Sequence, residues 1–224
     1  MNVSVIIFPG SNCDQDIVSS IYSITNKKPK EIWYKDNIPK NTDFIILPGG
    51  FSFGDYLRSG AIASASNIIR EVINFSKKGT PIMGICNGFQ ILTEANLLPG
   101  TLIINKNLKF ICKEVYLKAV NNNSIFTHKL NNKVFKLPIA HKMGNYVATK
   151  DVLKKITAND QIVFKYCSED GNIDDKYNPN GSISNIAGIL SLNKRILGMM
   201  PHPERYTDMK QKDIIMKKMI GSMS

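Results

Sequence analysis

Short apolar runs alternate with amphipathic stretches through the first hundred residues of the chain. Runs of this kind predict strands that are buried on both faces, and helical spacing of apolar positions predicts the segments between them. The predicted strands are 3–8, 31–35, 44–47 and 81–85, and the predicted helices are 14–25, 61–75 and the segment after Cys86 up to about Ala95. Strands that alternate with helices indicate an α/β fold with a doubly wound, mostly parallel sheet flanked by helices.

The pattern changes after Gly100, because apolar runs then follow one another without long helices between them. We predict strands at 102–104, 110–119 and 133–140, and a hairpin of 186–192 with 196–200 around Asn193 and Lys194. These strands form an antiparallel layer added to the parallel core, and an amphipathic helix is expected over 210–220. The sequence has no internal repeat or linker, so we expect a single domain over 1–224.

Composition is typical of a globular protein, with 43% hydrophobic and 21% charged residues in 224. No apolar run approaches the ~20 residues that span a bilayer, and the N-terminus lacks the basic region of a signal peptide. The four cysteines are scattered without a CxxC pair, which argues against a zinc site and for free thiols in a reducing cytoplasm. We therefore expect a cytoplasmic protein without a metal or a membrane partner.

The net charge of +11 raises the alternative of a non-catalytic module that binds nucleic acid. The excess is almost entirely lysine, spread along the chain without an aromatic platform for bases. Nucleic acid is therefore not an expected partner, and the charge is better suited to steering the chain toward an acidic protein.

Cys86 lies between Gly84 and Gly88, where the predicted strand gives way to a helix. This strand, turn and helix arrangement is that of a nucleophile elbow with cysteine in the place of serine. The helix N-terminus favours a thiolate over a thiol. A buried structural cysteine at a strand end is the alternative, and the motif alone leaves both interpretations open.

The segment around His202 supplies a candidate base. Pro201 and Pro203 constrain the backbone, and side chains two apart in extended backbone point the same way. Glu204 is therefore expected to accept a hydrogen bond from one imidazole nitrogen of His202, while the other nitrogen faces Cys86. Nucleophile, base and orienting carboxylate would then be in place, although a lone histidine is more often structural.

Two backbone N–H groups are expected to stabilise negative charge on the carbonyl oxygen under attack. The amide of Asn87 follows the nucleophile directly, and the Gly49-Gly50 turn ends a neighbouring strand. We predict an oxyanion hole made by Gly50 and Asn87. An ordinary glycine-rich turn is the alternative, and the turn lacks the Gly-Lys-Ser/Thr ending of a P-loop.

Five motifs occur nearly from end to end of the chain, at 9–14, 49–58, 84–90, 178–182 and 198–205. With them the chain resembles a class I (triad-type) glutamine amidotransferase. More narrowly, it resembles the family of glutaminase subunits of phosphoribosylformylglycinamidine synthase, an enzyme of purine biosynthesis. The cysteine and His-Pro-Glu motifs are shared across the class, whereas Phe-Ser-Phe-Gly-Asp-Tyr-Leu-Arg at 51–58 and Asn-Pro-Asn-Gly-Ser at 178–182 are specific to the narrower family.

The resemblance implies that the chain hydrolyses glutamine through a thioester on Cys86, and that Gln90 contacts the bound glutamine. Gly49 and Phe51 are the other expected substrate contacts. Ammonia would pass to a large synthetase subunit, which converts formylglycinamide ribonucleotide to its amidine with ATP and magnesium. A small third subunit is also expected, and no cofactor on this chain.

One segment departs from the family pattern. After His141 the family usually continues Gly-Glu-Gly, whereas this chain has Lys142-Met143-Gly144. We interpret His141 as structural, and the role of the segment in glutamine positioning or partner contact is open. A stand-alone cysteine hydrolase or peptidase on the same fold is the alternative function.

Overall fold

A computed structural model describes residues 1–130, 132–205 and 209–221. Its strands, in chain order from β1 to β11, are Val3–Ile7, Lys30–Trp33, Phe44–Leu47, Ile82–Ile85, Thr101–Ile103, Ile111–Ala119, Val134–His141, Asn145–Val147, Ile162–Cys167, Ile186–Leu190 and Ile196–Met199. Its helices, from α1 to α6, are Asp14–Thr25, Ala61–Ser64, Asn67–Lys77, Asn87–Glu94, Lys150–Ala158 and Met209–Ile220. Side chains 209–214, including the first half of the predicted amphipathic face, lie outside the described residues.

Nine strands form one sheet in the order β2-β1-β3-β4-β11-β10-β9-β6-β7. The first five are neighbours in parallel, and the remaining pairs are antiparallel. β5 and β8 make a separate two-stranded antiparallel sheet. The predicted α/β fold, mostly parallel with added antiparallel strands, is confirmed, and most of the added strands continue the parallel sheet edge to edge.

Some local predictions differ from the structure. The helix predicted over 61–75 is two helices, because Ser66 has an extended backbone (φ −72°, ψ 156°) between them. Asp14 is the first residue of α1 and not its cap, a position that Cys13 occupies. The sequence analysis did not predict the segment made of β8, α5 and β9.

The core lies on both faces of the sheet. The residues of β3 and β4 are buried throughout, as the uninterrupted apolar runs predict for central parallel strands. β7 instead alternates buried and half-buried positions, which fits a strand with one covered face. In the described part of the chain, no helix has both the length and the apolar character required to cross a membrane.

Candidate active site

Three neighbouring parallel strands end at one edge of the sheet. β4 lies between β3 and β11 and pairs with both in parallel. The residues that follow these strands are the Gly49-Gly50 turn, Cys86 and the segment leading to His202. Because the carboxyl ends of parallel strands meet at the same edge, the fold brings the three predicted motifs together.

Cys86 joins β4 to α4 with a backbone that non-glycine residues rarely adopt, at φ 50° and ψ −104°. Such a conformation costs about 1–3 kcal/mol and persists only where the surroundings hold it. The Cys86 N–H donates to the carbonyl of Met199 (2.8 Å), and the Cys86 carbonyl accepts from the N–H of Gln90 (3.1 Å). A Cβ atom on Gly88 would clash with the carbonyl oxygen of Leu47, so glycine is required there. This geometry is that of the predicted elbow.

His202 and Glu204 form a buried pair. The two atoms Nδ1 of His202 and Oε1 of Glu204 are 2.6 Å apart, and the side chains are 2% and 0% exposed. Since a carboxylate only accepts, Nδ1–H is the donor. The backbone N–H of His202 donates to the carbonyl of Pro138 (2.9 Å). Among the described residues, Nε2 of His202 makes no hydrogen bond of ordinary geometry, which leaves it available to exchange a proton.

Burial by itself would lower the pKa of His202, because it disfavours the imidazolium. The negative charges of Glu204 and of the Cys86 thiolate outweigh burial and raise the pKa of His202 well above its usual value. The imidazole therefore keeps its proton near neutral pH, and a thiolate at Cys86 is stabilised beside it.

Cys13 is a second thiol beside His202, and the sequence analysis did not single it out as a site residue. Its Sγ lies within 4.8 Å of ligand-type atoms of His202 and Glu204. Gly49 leaves room for this group, since a Cβ there would be 2.7 Å from Cε1 of His202 and 3.2 Å from Sγ of Cys13. Thiol, imidazole and carboxylate are metal ligands, so the absence of a metal stays a prediction.

Two cavities adjoin Cys86, with volumes of about 360 and 310 Å³. The smaller one is lined by His202, Cys13 and Arg205 as well as Cys86. The larger one has several predicted residues in its wall, together with a segment whose role the sequence left open: Gly50, Phe51, Cys86, Gln90, His141, Lys142 and Met143. Volumes of this size fit small-molecule sites.

The two predicted oxyanion donors lie at this cavity. Gly50 lines both cavities beside Cys86. Asn87 is the first residue of α4, and the first N–H groups of a helix have no acceptor within the helix. The side chain of Asn87 is fixed by accepting from the N–H of Ser52 (3.1 Å) and donating to Gln90 (2.8 Å). Their role in charge stabilisation stays a prediction.

The predicted substrate contacts are placed unequally. Phe51 and Gln90 line the larger cavity, and Gln90 also donates to the carbonyl of Met143 (2.6 Å). Gly49 lies behind the His202 ring and is not in the wall of either cavity. Asp55, which the sequence analysis did not select, contributes a carboxylate to the wall. Burial raises its pKa against hydrogen bonds from Ser59 and Asn87 that lower it.

Comparisons with known proteins place these observations in a family. A profile of the CobB/CobQ-like glutamine amidotransferase domain matches residues 1–223. A relative from Pelagibacter ubique, named phosphoribosylformylglycinamidine synthase subunit PurQ, is 48% identical over 93% of this chain and 91% of its own length. A relative of the same name from Moorella thermoacetica is 49% identical over 92% of this chain and 87% of its own.

A solved structure gives the same result. A chain of the structure titled PurLQS from Thermotoga maritima superposes with a TM-score of 0.85 and is 37% identical. The match covers 99% of this chain and 96% of that one. Similarity therefore extends over the whole length and not only over the motifs.

Proposed function

The chain belongs to the CobB/CobQ-like glutamine amidotransferase family, and we propose that it is the glutaminase subunit of phosphoribosylformylglycinamidine synthase. It hydrolyses L-glutamine to glutamate and ammonia, and the ammonia is used to make formylglycinamidine ribonucleotide in purine biosynthesis. The observation that carries the proposal is the meeting of Cys86, His202 and Glu204 at one sheet edge, in a chain similar over its full length to PurQ proteins.

The chemistry starts with the Cys86 thiolate attacking the side-chain amide carbon of glutamine. The N–H groups of Gly50 and Asn87 stabilise the negative oxygen. His202, held by Glu204, gives its proton to the departing nitrogen, and the carbon–nitrogen bond breaks as ammonia forms. Water activated by the now neutral His202 then attacks the thioester, which releases glutamate and restores the thiolate.

The partner is the ATP-dependent synthetase subunit, together with a small third subunit, as in the PurLQS assembly that the similar structure is titled for. The cavity beside Cys86 supports such a partner. Phe51, Ile104 and Phe110 line it while remaining 37% to 48% exposed, so its mouth is apolar. A partner that covers this mouth keeps ammonia away from water, in which it would become ammonium.

ATP and magnesium are bound by the synthetase subunit, and this chain carries no cofactor of its own. Its sequence has no P-loop. We place the complex in the cytoplasm, a location supported by the four free cysteines.

A stand-alone cysteine hydrolase is not favoured, since relatives over more than nine tenths of the chain are named as synthase subunits. Product analysis tests this directly. We expect slow glutamate release from free glutamine by the isolated chain, and faster release when the synthetase subunit is added.

The decisive variant is Cys86→Ala in the reconstituted complex. We expect glutamine-dependent amidine formation to disappear while formation from added ammonium continues. Cys167→Ala is the matched control, because Cys167 is also a buried thiol but lies on β9 in the antiparallel part of the sheet. Persistent use of glutamine by Cys86→Ala would show that another group is the nucleophile.

A further inference from the structure

His141 shares the larger cavity with Cys86, at the end of β7. The preceding residue brings the strand to the nucleophile, because the carbonyl oxygen of Ala140 is 3.8 Å from Sγ of Cys86. The His141 side chain is 97% buried, and among the described residues its Nε2 atom has no hydrogen-bond partner. A buried polar atom without a partner in the wall of a site calls for a ligand.

Asn105 determines which nitrogen of His141 carries the proton. The amide nitrogen of Asn105 donates to the carbonyls of Lys109 and His141, both at 2.9 Å. Its Oδ1 is therefore the acceptor, and it receives the N–H of Gly144 (3.0 Å) and Nδ1 of His141 (3.1 Å). Nδ1 must then hold the hydrogen, which leaves Nε2 with a lone pair whenever the ring is neutral.

The ring is neutral at physiological pH. Burial, followed by the charge of His202, lowers the pKa of His141 to about 4. The other titratable groups in the wall of this cavity are Asp55, Cys86 and Lys142. His141 is therefore an acceptor of hydrogen bonds that exchanges no proton in the working pH range.

We propose that Nε2 of His141 accepts a hydrogen bond from the nitrogen that leaves the glutamine amide, and then from the ammonia it becomes. This inference rests on the proposed function and extends it. In the step concerned, the sulfur–carbon bond has formed, the carbon–nitrogen bond breaks, and the proton comes from His202. His141 gains and loses nothing, so the ammonia stays unprotonated and able to act as a nucleophile in the partner.

The test uses the complex of this chain with its synthetase subunit. His141→Leu removes the acceptor, and His141→Gln supplies another neutral acceptor. We expect kcat for glutamine-dependent synthesis to fall about tenfold in His141→Leu, or about 1.4 kcal/mol, with KM for glutamine nearly unchanged. We expect His141→Gln to recover most of that rate. Synthesis from added ammonium should be the same in all three proteins.

A merely structural histidine predicts a different result. The rate would follow thermal stability in both variants, and kcat and KM would change together. A His141→Leu protein that keeps kcat within twofold of the parent would overturn the proposal, as would equal losses in the Leu and Gln variants. Failure of the glutaminase assignment itself is distinguishable, because glutamine use would then survive in Cys86→Ala.

Asn105→Asp tests the proton assignment without removing the imidazole. A carboxylate in place of the amide favours the imidazolium, so it raises the pKa of His141 and removes the lone pair of Nε2 on acidification. We expect a new loss of kcat on the acid side of the pH profile. The double variant Asn105→Asp/His141→Gln should lack that loss, and its persistence there would contradict the role of His141.

Discussion

The cavity beside Cys86 contains two buried histidines whose surroundings shift them in opposite directions. His202 donates Nδ1–H to the carboxylate of Glu204, and its pKa rises. His141 donates Nδ1–H to the amide oxygen of Asn105, and its pKa falls to about 4. Burial opposes the charge on both rings, so the acceptor on Nδ1 decides between a ring that carries a proton and one that does not.

The comparison also separates two kinds of construction. The wall that holds Cys86 and His202 is made of loops that follow parallel strands, and each of its residues comes directly after a strand. The wall that holds His141 comes from the long β6–β7 hairpin. β7 is the edge strand farthest from β2 in the sheet order, yet its carbonyls at Pro138 and Ala140 contact His202 and Cys86.

The sharpest way to break the contrast is Glu204→Gln, which gives His202 the same kind of partner as His141. We expect kcat for glutamine hydrolysis to fall about 100-fold to 1,000-fold, within the range general acid–base catalysis contributes. KM should change little, because Glu204 touches only the imidazole. Steady-state kinetics of the complex measure both, and a loss of kcat below tenfold would mean that the charge on Glu204 is dispensable.

Each ring rests on a glycine, which permits a matched pair of variants. Gly49→Ala puts a Cβ 2.7 Å from Cε1 of His202, and Gly144→Ala puts one 2.7 Å from Nε2 of His141. We expect Gly49→Ala to lower kcat about 10-fold to 100-fold, and Gly144→Ala to lower it less. Both overpack the interior and should cost about 1–3 kcal/mol of stability. A larger kinetic effect from Gly144→Ala would reverse the assignment of roles.

The low pKa of His141 has a consequence for stability. Below pH 6.5 the unfolded chain binds a proton that the folded chain binds only near pH 4, so acidification favours unfolding. His141→Gln removes this effect. Relative to the parent, the variant should gain about 3 kcal/mol in free energy of unfolding between pH 7 and pH 4.

Urea denaturation at several pH values measures this difference. A constant difference between the two proteins across that range would show that His141 is not held neutral by the fold.

The smallest expected effect is that of Cys13→Ala. Cys13 adds to the interactions that raise the pKa of His202, after Glu204 and Cys86. Its removal should lower kcat about twofold to threefold and shift the alkaline limb of the pH–rate profile to lower pH. Loss of activity comparable to that of Cys86→Ala would instead assign Cys13 a part in the reaction.

How much the sequence could predict follows from these two walls. Cys86, His202 and Glu204 are signalled by short motifs directly after strands, and strand order does the rest. The position of Cys13 beside His202, and of Asn105 beside His141, depends on residues far apart in the chain. No local spacing predicts them, and only the curvature of the β6–β7 hairpin over the sheet edge brings His141 to the site.

The segment of β8, α5 and β9 was missed for a related reason. β8 has three residues and pairs with β5, which has three as well, so neither has a period long enough to detect. The antiparallel strands beyond β11 join the same sheet because β10 pairs with both β11 and β9. Pairing across the sheet, and not any local pattern, decides that continuity.

The hydrogen bond from the N–H of Cys86 to the carbonyl of Met199 ties the nucleophile to the strand that carries the base. One residue inserted between Met199 and His202 would turn the imidazole to the opposite side of its strand, whereas an insertion at Asn193 or Lys194 would only lengthen a surface turn. Length variation among natural sequences should therefore be absent from the first interval and common in the second.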